Sequence, residues 1–281
     1  MLKIFHVIIV ALGIIIVPSV QSSLIDSPRE PPEFTNEPSF PNISQLVYRA
    51  ESLSPEEIRA DGAIFARGVT PHYPFNLETR PAVDISLYNH ARGVPNTGNA
   101  NNNSGYVGTT TSRGYALQHL NEYLNHRGYI YYIAASSNFI DVNGTLGRHS
   151  PNPQELEYAA MNQIQYRQIL GWRHVQSSNI GPFVHNLHYN GLAFNSPSTS
   201  GGIQYQLAAF GDISPEWGEF PWSEHAECEF RYACSPKQSS FHAAEEYLAK
   251  IRPIAKKKIV IVYCQIMVGG FGNLSMAGPD C

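Results

Sequence analysis

Apolar positions along this chain come in short blocks, some alternating and some spaced by three or four. Pro, Gly and Asn interrupt them often. Leu46-Val47-Tyr48-Arg49 reads as a short strand. Ser54-Pro55-Glu56-Glu57-Ile58 has the marks of a helix start: a Ser cap, Pro in the first turn and Glu three residues after the cap. Asp61-Gly62 stops that helix. Residues 69–81 hold three prolines and no period, so they read as a loop. A short helix is expected from Asp84 to Arg92, ended by Gly93, and a surface loop over Pro95–Gly105. Gly105–Thr110 predicts a strand. Ser112 caps a helix running to Leu124, with Leu117, Leu120 and Leu124 on one face. Strands follow at Tyr129–Ala135 and Ile169–Val175, with a strand edge at Glu155–Tyr158. Phe139-Ile140-Asp141-Val142 is brief and reads as exposed. The class this predicts is α+β, with short strands and several loops.

The two ends differ from the middle. Met1-Leu2-Lys3 is basic, and Ile4 to Val20 is apolar apart from His6, Gly13, Pro18 and Ser19. That pattern predicts a signal peptide over 1–22 and therefore a secreted protein. A membrane anchor competes, but the stretch is short for a span of about 20 residues. Ser23 to Pro41 is rich in Pro, Ser and Glu, so a flexible leader is expected over 23–45. Removing 22 of the 281 residues leaves about 259, enough for one substantial core at 46–227 and a cysteine-containing region at 228–281.

Charge and cysteine usage narrow the classes. The net charge is −4, and Lys and Arg form no stripe ahead of Lys256-Lys257-Lys258, which argues against nucleic acid as a partner. The four cysteines, Cys228, Cys234, Cys264 and Cys281, all lie in the last quarter. In an oxidising compartment they form up to two disulfides with three possible pairings; proximity favours Cys228 with Cys234 and Cys264 with Cys281. Their irregular spacing and the lack of a companion His cluster argue against a metal site. The apolar run Ile259–Val268 is too short to span a bilayer and is expected to pack as a strand or tail.

The candidate chemistry sits in Pro151–Glu157. Glu155 and Glu157, two apart, are expected to share one face of an extended segment. Carboxylates that close raise each other's pKa, which suits a catalytic pair better than a packing device. Read alone they are two surface acids on an edge strand, and Arg49 is a surface residue ending another.

The wider set of blocks changes that reading. Val47–Glu51, Ile58–Gly68, Leu87–Gly93, Gly105–Thr110, Asn138–Val142, Ser150–Glu157, Tyr166–Trp172 and Phe220-Pro221-Trp222 follow one another in order. Together they resemble the enzymatic A chain of the cholera toxin and heat-labile enterotoxin family, arginine-specific mono-ADP-ribosyltransferases. The resemblance covers residues 46–234. It implies an ADP-ribosyltransferase fold with short strands around an NAD-binding cleft, NAD as substrate and an arginine-bearing host protein as acceptor. It places Arg49, Glu51, His90, Thr109 and Thr110 at the NAD cleft. Glu157 falls to the carboxylate that stabilises charge on the ribose, and Glu155 to the group that orients and deprotonates the acceptor. Release from the producing cell and action inside a target cell are implied as well.

Two departures stand out. The family's Ser-Thr-Ser is here Gly108-Thr109-Thr110, so the first hydroxyl, which supports the catalytic Glu, is missing; Thr110 or Thr111 is the expected replacement. Only five residues separate Cys228 from Cys234, too few for the nicked loop of the toxins, and a pentameric B subunit is not supported. An NAD glycohydrolase using Arg49 and Glu157, and a non-catalytic binding protein on the same scaffold, are the alternatives.

Overall fold

The computed structural model of the protein describes residues 37–71, 81–94, 100–177, 179–195, 201–230 and 233–251. The apolar segment near the N-terminus, the 259–268 run, Cys264 and Cys281 lie outside them. In chain order the elements are β1 (Leu46–Glu51), α1 (Pro55–Asp61), β2 (Ala63–Phe65), α2 (Leu87–Arg92), β3 (Tyr106–Thr110), α3 (Arg113–Tyr123) and β4 (Arg127–Ala134). Then come β5 (Phe139–Asp141), α4 (Val142–Leu146), β6 (Glu157–Met161), β7 (Gln163–Gln165), β8 (Ile169–Gln176) and β9 (Asn179–His185). The last are α5 (Gly191–Phe194), β10 (Ala226–Phe230), β11 (Ala233–Pro236) and α6 (Ser240–Lys250).

Seven strands form one antiparallel sheet in the order β5-β6-β3-β1-β4-β8-β9. The class is α+β, as the pattern predicts. β4 lies inside this sheet and is covered on both faces, which is why its sequence is a nearly unbroken apolar run. Tyr131 and Ile133 face one core cluster with Val47, Ile58 and Ile164. Ile130, Tyr132 and Ala134 face another with Leu117 and Leu120 of α3. The buried tyrosine hydroxyls are matched: Tyr131 donates to the Leu53 carbonyl at 2.7 Å, and Tyr132 to the Glu37 carboxylate at 3.0 Å.

The helix signals hold. Ser54 and Glu57 form a capping box at α1, Ser112 caps α3 through the Tyr115 N–H, and Gly93 ends α2. Such caps each contribute about 1 kcal/mol.

Three expectations are corrected. Phe139 and Ile140 are fully buried, because β5 pairs with β6 and Gly202 bridges to Ile140. The leader is part of the fold from Glu37 onward: Phe40 and Ile43 pack on the α3 face of the sheet. Glu37 also pairs with Arg113 at 2.8 Å and Arg173 at 3.3 Å, two arginines that are nearly inaccessible and need an anion. Nor does the core end at residue 227. Ala243, Ala244, Tyr247 and Leu248 of α6 share a cluster with Leu87, Ile140 and Trp217.

Cys228 and Cys234 form a disulfide across the β10–β11 hairpin, where they are register partners.

Candidate active site

The site forms where β1, β3 and β6 lie side by side. Arg49 is on β1, Gly108 on β3, and Glu157 opens β6 opposite Thr110. A cleft of about 570 Å³ runs over them, walled by α3 and by residues around α2; Arg49, Arg67, His90, Tyr115, Glu155 and Glu157 line it.

Arg49 is fixed on two sides. Its Nη1 donates to the Gly108 carbonyl at 2.7 Å. Its Nε and Nη2 donate to Glu51 Oε2 at 3.1 and 2.8 Å. Those bonds use three of the five guanidinium donors, which leaves two for a ligand. Burial alone would raise the Glu51 pKa. The Arg49 charge and hydrogen bonds, with the Ser52 and Leu53 N–H groups, outweigh burial and hold it below the ordinary carboxylate value. Glu51 is therefore the anionic clamp that aims Arg49.

Glu157 is held by His90. The His90 Nε2 lies 2.9 Å from Glu157 Oε1, and its Nδ1 lies 2.8 Å from Ser104 Oγ. A carboxylate only accepts, so Nε2 carries the proton in this bond. Ser104 Oγ also accepts the Tyr106 N–H at 3.2 Å, which anchors the relay to the start of β3. His90 and Glu157 are 5% and 9% exposed, so the pair is shielded from competing water.

Glu155 and Glu157 meet in the cleft, but not as alternate positions of a strand. Glu155 ends a 3-10 turn at Pro153–Glu155, and Leu156 is left-handed at φ 48° and ψ 45°. That conformation costs a non-glycine residue roughly 1–2 kcal/mol and persists where its surroundings impose it. Here the Thr111 N–H donates to the Leu156 carbonyl at 3.1 Å, and Thr110 Oγ1 to the Glu155 carbonyl at 2.7 Å. Burial, and then the Glu157 charge, raise the Glu155 pKa above its ordinary value; Tyr115 and His90 act in the opposite direction.

Thr109 and Thr110 sit in the site region, but both hydroxyls are committed to main chain. Thr109 Oγ1 donates to the Tyr158 carbonyl at 2.5 Å, as Thr110 does to Glu155. They tie β3 to the chain around β6, and it is His90, not Thr110, that hydrogen-bonds Glu157. The space left at Gly108 is filled by Glu157 itself: a Cβ built there would lie 2.7 Å from Glu157 Oε1.

Nothing in the sequence marks Ser104, Tyr115 or Arg67 as part of this site. Ser104 lies in an Asn-rich stretch that reads as surface loop, yet is 2% exposed. Tyr115 interrupts no pattern on α3. Arg67 is braced by the Ala100 carbonyl at 3.1 Å and Asn102 at 3.4 Å, contacts that no local signal marks. Among the described residues no three His, Cys, Asp or Glu side chains gather into a metal site.

Comparison with known proteins identifies the family. The family model described as heat-labile enterotoxin alpha chain matches residues 28–263. The chain is 41% identical over 197 residues to the heat-labile enterotoxin IIB A chain of Escherichia coli, covering 67% of this chain and 71% of that one. It is 39% identical over 185 residues to the NAD(+)–arginine ADP-ribosyltransferase Chelt of Vibrio cholerae, covering 64% of this chain and 30% of that protein. Among solved structures, a heat-labile enterotoxin double mutant superposes with a TM-score of 0.60 at 27% identity, covering 82% of this chain and 97% of the other.

Proposed function

Because the chain belongs to the heat-labile enterotoxin alpha-chain family of ADP-ribosyltransferase toxins, we propose that it cleaves the bond between nicotinamide and ribose in NAD and passes ADP-ribose to an arginine of a target protein. The observation that carries this reading is the convergence of Arg49, Glu155 and Glu157 from separate segments on one cleft. The cleft volume, about 570 Å³, falls in the usual range for a ligand of this size.

In this reading the two remaining donors of Arg49 bind the NAD diphosphate or the adjoining ribose, in a planar geometry suited to paired oxygens. Nicotinamide departs with the bonding electrons, and positive charge develops at the anomeric carbon, as in glycoside cleavage. Glu157, buried and held by His90, is preorganised to stabilise that charge more than the ground state. A guanidinium nitrogen of the acceptor then bonds to the same carbon and loses a proton. Glu155 orients the guanidinium and takes that proton, and its raised pKa suits a base. The balance is NAD plus arginine giving ADP-ribosyl-arginine, nicotinamide and one proton. The predicted signal peptide supports a secreted toxin that meets its acceptor in another cell.

The test is NAD labelled in the adenylate half, incubated with the protein and with agmatine or polyarginine. Label on the acceptor, with stoichiometric nicotinamide, is the expected result. Nicotinamide release with no labelled acceptor would make the protein a glycohydrolase. Formation of neither product would overturn the enzymatic reading.

A further inference from the structure

We propose that Asn143 is a positioning residue for Glu155: it braces the turn that carries this acid, and so governs how well arginine, as against water, is used as the nucleophile. The proposal rests on the transfer reading above and adds to it a residue on a different element from those that line the cleft.

Glu155 stands at the end of a one-turn 3-10 segment, Pro153–Glu155, with left-handed Leu156 after it. The segment holds itself weakly. The Glu155 N–H donates to the Asn152 carbonyl at 3.1 Å, and the Leu156 N–H to the Pro153 carbonyl at 3.4 Å, longer than the usual range. A single turn of this kind, with poor internal hydrogen bonds, does not fix a side chain. The fixing comes from outside it. On the far side, Thr110 Oγ1 donates to the Glu155 carbonyl at 2.7 Å and the Thr111 N–H to the Leu156 carbonyl at 3.1 Å. On the near side, Asn152 Nδ2 donates to the Ala91 carbonyl at 2.8 Å, and Asn143 Nδ2 donates to the Pro153 carbonyl at 2.8 Å. Ser150 Oγ donates to Asn143 Oδ1 at 2.8 Å. A carbonyl only accepts, so the NH2 of Asn143 faces Pro153, and the Ser150 hydroxyl takes the remaining oxygen.

The base of this brace is rigid. Asn143 belongs to α4, whose Val142 and Leu146 are buried in one cluster with Leu87 and Ala91 of α2. Asp141 caps α4 through the Gly144 N–H at 2.8 Å, and Trp222 Nε1 donates to the Thr145 carbonyl at 2.8 Å. The two near-side holds differ in what else they serve. Asn152 ties the turn to Ala91, beside the His90 that holds Glu157. Asn143 ties the turn to α4, whereas Glu157 draws its hydrogen bond from α2. Cutting the Asn143 bond should therefore fall on Glu155 and spare Glu157, so that transfer suffers and cleavage of NAD does not.

The experiment compares the intact protein with Asn143→Ala. Agmatine labelling and acceptor-free nicotinamide release are both measured across pH, beside a thermal melt. Misplacing a catalytic group by about 1 Å costs roughly 100-fold, and a turn freed at one of several holds should move less, so transfer should lose roughly 10-fold in kcat/KM for agmatine. Nicotinamide release should change by less than about threefold. Burial first, and then the Glu157 charge, raise the Glu155 pKa, while Tyr115 and His90 oppose them. A freed turn admits water to Glu155 and draws it away from Glu157, so the acid limb of transfer should move to lower pH. In a Glu155→Gln background, Asn143→Ala should add no further loss of transfer, since both changes act on one group. Asn143→Asp keeps the bond from Ser150 and loses only the donor to Pro153; it should show the same split between the two activities, and it carries the test if the alanine variant does not fold. Equal loss of both activities in the folded variants, an unmoved acid limb in Asn143→Ala, or additive losses in the double variant would overturn the role of Asn143. Nicotinamide release without any label transfer by the unsubstituted protein would instead overturn the transfer reading, and this proposal with it.

Discussion

Gly108 offers the most direct perturbation of the site, because one methyl group there meets one oxygen. A Cβ at residue 108 would sit 2.7 Å from Glu157 Oε1, where ordinary contact begins at 3.4 Å, so the carboxylate must retreat by about 0.7 Å (3.4 − 2.7). His90 Nε2 would be 3.6 Å away and unaffected, so the strain falls on Glu157 alone. A retreat along the His90 bond would stretch 2.9 Å to about 3.6 Å (2.9 + 0.7), beyond hydrogen-bond reach. Misplacing a catalytic group by about 1 Å costs roughly 100-fold, so Gly108→Ala should slow nicotinamide release by roughly 10- to 100-fold. The fold should not suffer in parallel, because alanine is favoured over glycine within a strand by roughly 0.5–1 kcal/mol. Gly108→Ser adds the same Cβ together with a hydroxyl that donates to the displaced carboxylate, and should lose less than the alanine variant. The assay is acceptor-free nicotinamide release, read beside a thermal melt of each variant. Full activity in Gly108→Ala, with an unchanged melt, would show that the position of Glu157 over Gly108 does not matter for the reaction.

Three further outcomes are expected. Glu157→Gln keeps size and removes charge, so transfer and nicotinamide release should both fall by about 100-fold or more; near-normal release in that variant would remove Glu157 from the ribose. Arg49→Lys lacks the planar fork and the paired bonds to Glu51, so calorimetry should show weaker NAD binding, and unchanged affinity would move Arg49 out of the nucleotide site. Glu37→Gln takes the charge away from buried Arg113 and Arg173 and should lower unfolding free energy by about 1–3 kcal/mol in urea titrations; an unshifted midpoint would mean that the Glu37 ion pairs contribute nothing to stability.

What the sequence reveals, and what it hides, divides by the range of the interactions. α1 is readable because its cap, its proline and its stop lie within nine residues of one another, and the same holds for Ser112 at the head of α3. β4 is readable because burial on both faces leaves a continuous apolar run. Arg49 and the two acids are readable as chemistry, but their geometry is not. Leucine at 156 carries no sign of a left-handed turn, since Gly or Asn is the usual marker. The turn is imposed by Thr110 and Thr111 from a strand 45 residues earlier. The docking of Glu37 is hidden for the same reason. Its composition says solvent, and only the two arginines, brought beneath it by α3 and β8, make it part of the fold.

Residue 108 shows how a loss along the chain becomes an arrangement in space. Read as a motif, glycine here removes a hydroxyl from the expected support of Glu157. In the folded protein the same glycine is touched from two directions: Arg49 Nη1 on its carbonyl at 2.7 Å, and the Glu157 carboxylate over its α-carbon. Neither Thr109 nor Thr110 supplies the missing donor, since both hydroxyls are held by main-chain carbonyls. The donor comes from α2, through His90, and is steadied by Ser104. Support of Glu157 therefore comes from a helix, and its carboxylate occupies the room that a side chain at 108 would fill. Gly108, His90 and Ser104 thus form one unit around Glu157. A serine restored at 108 should lessen the dependence of nicotinamide release on His90, whereas alanine at that position should not.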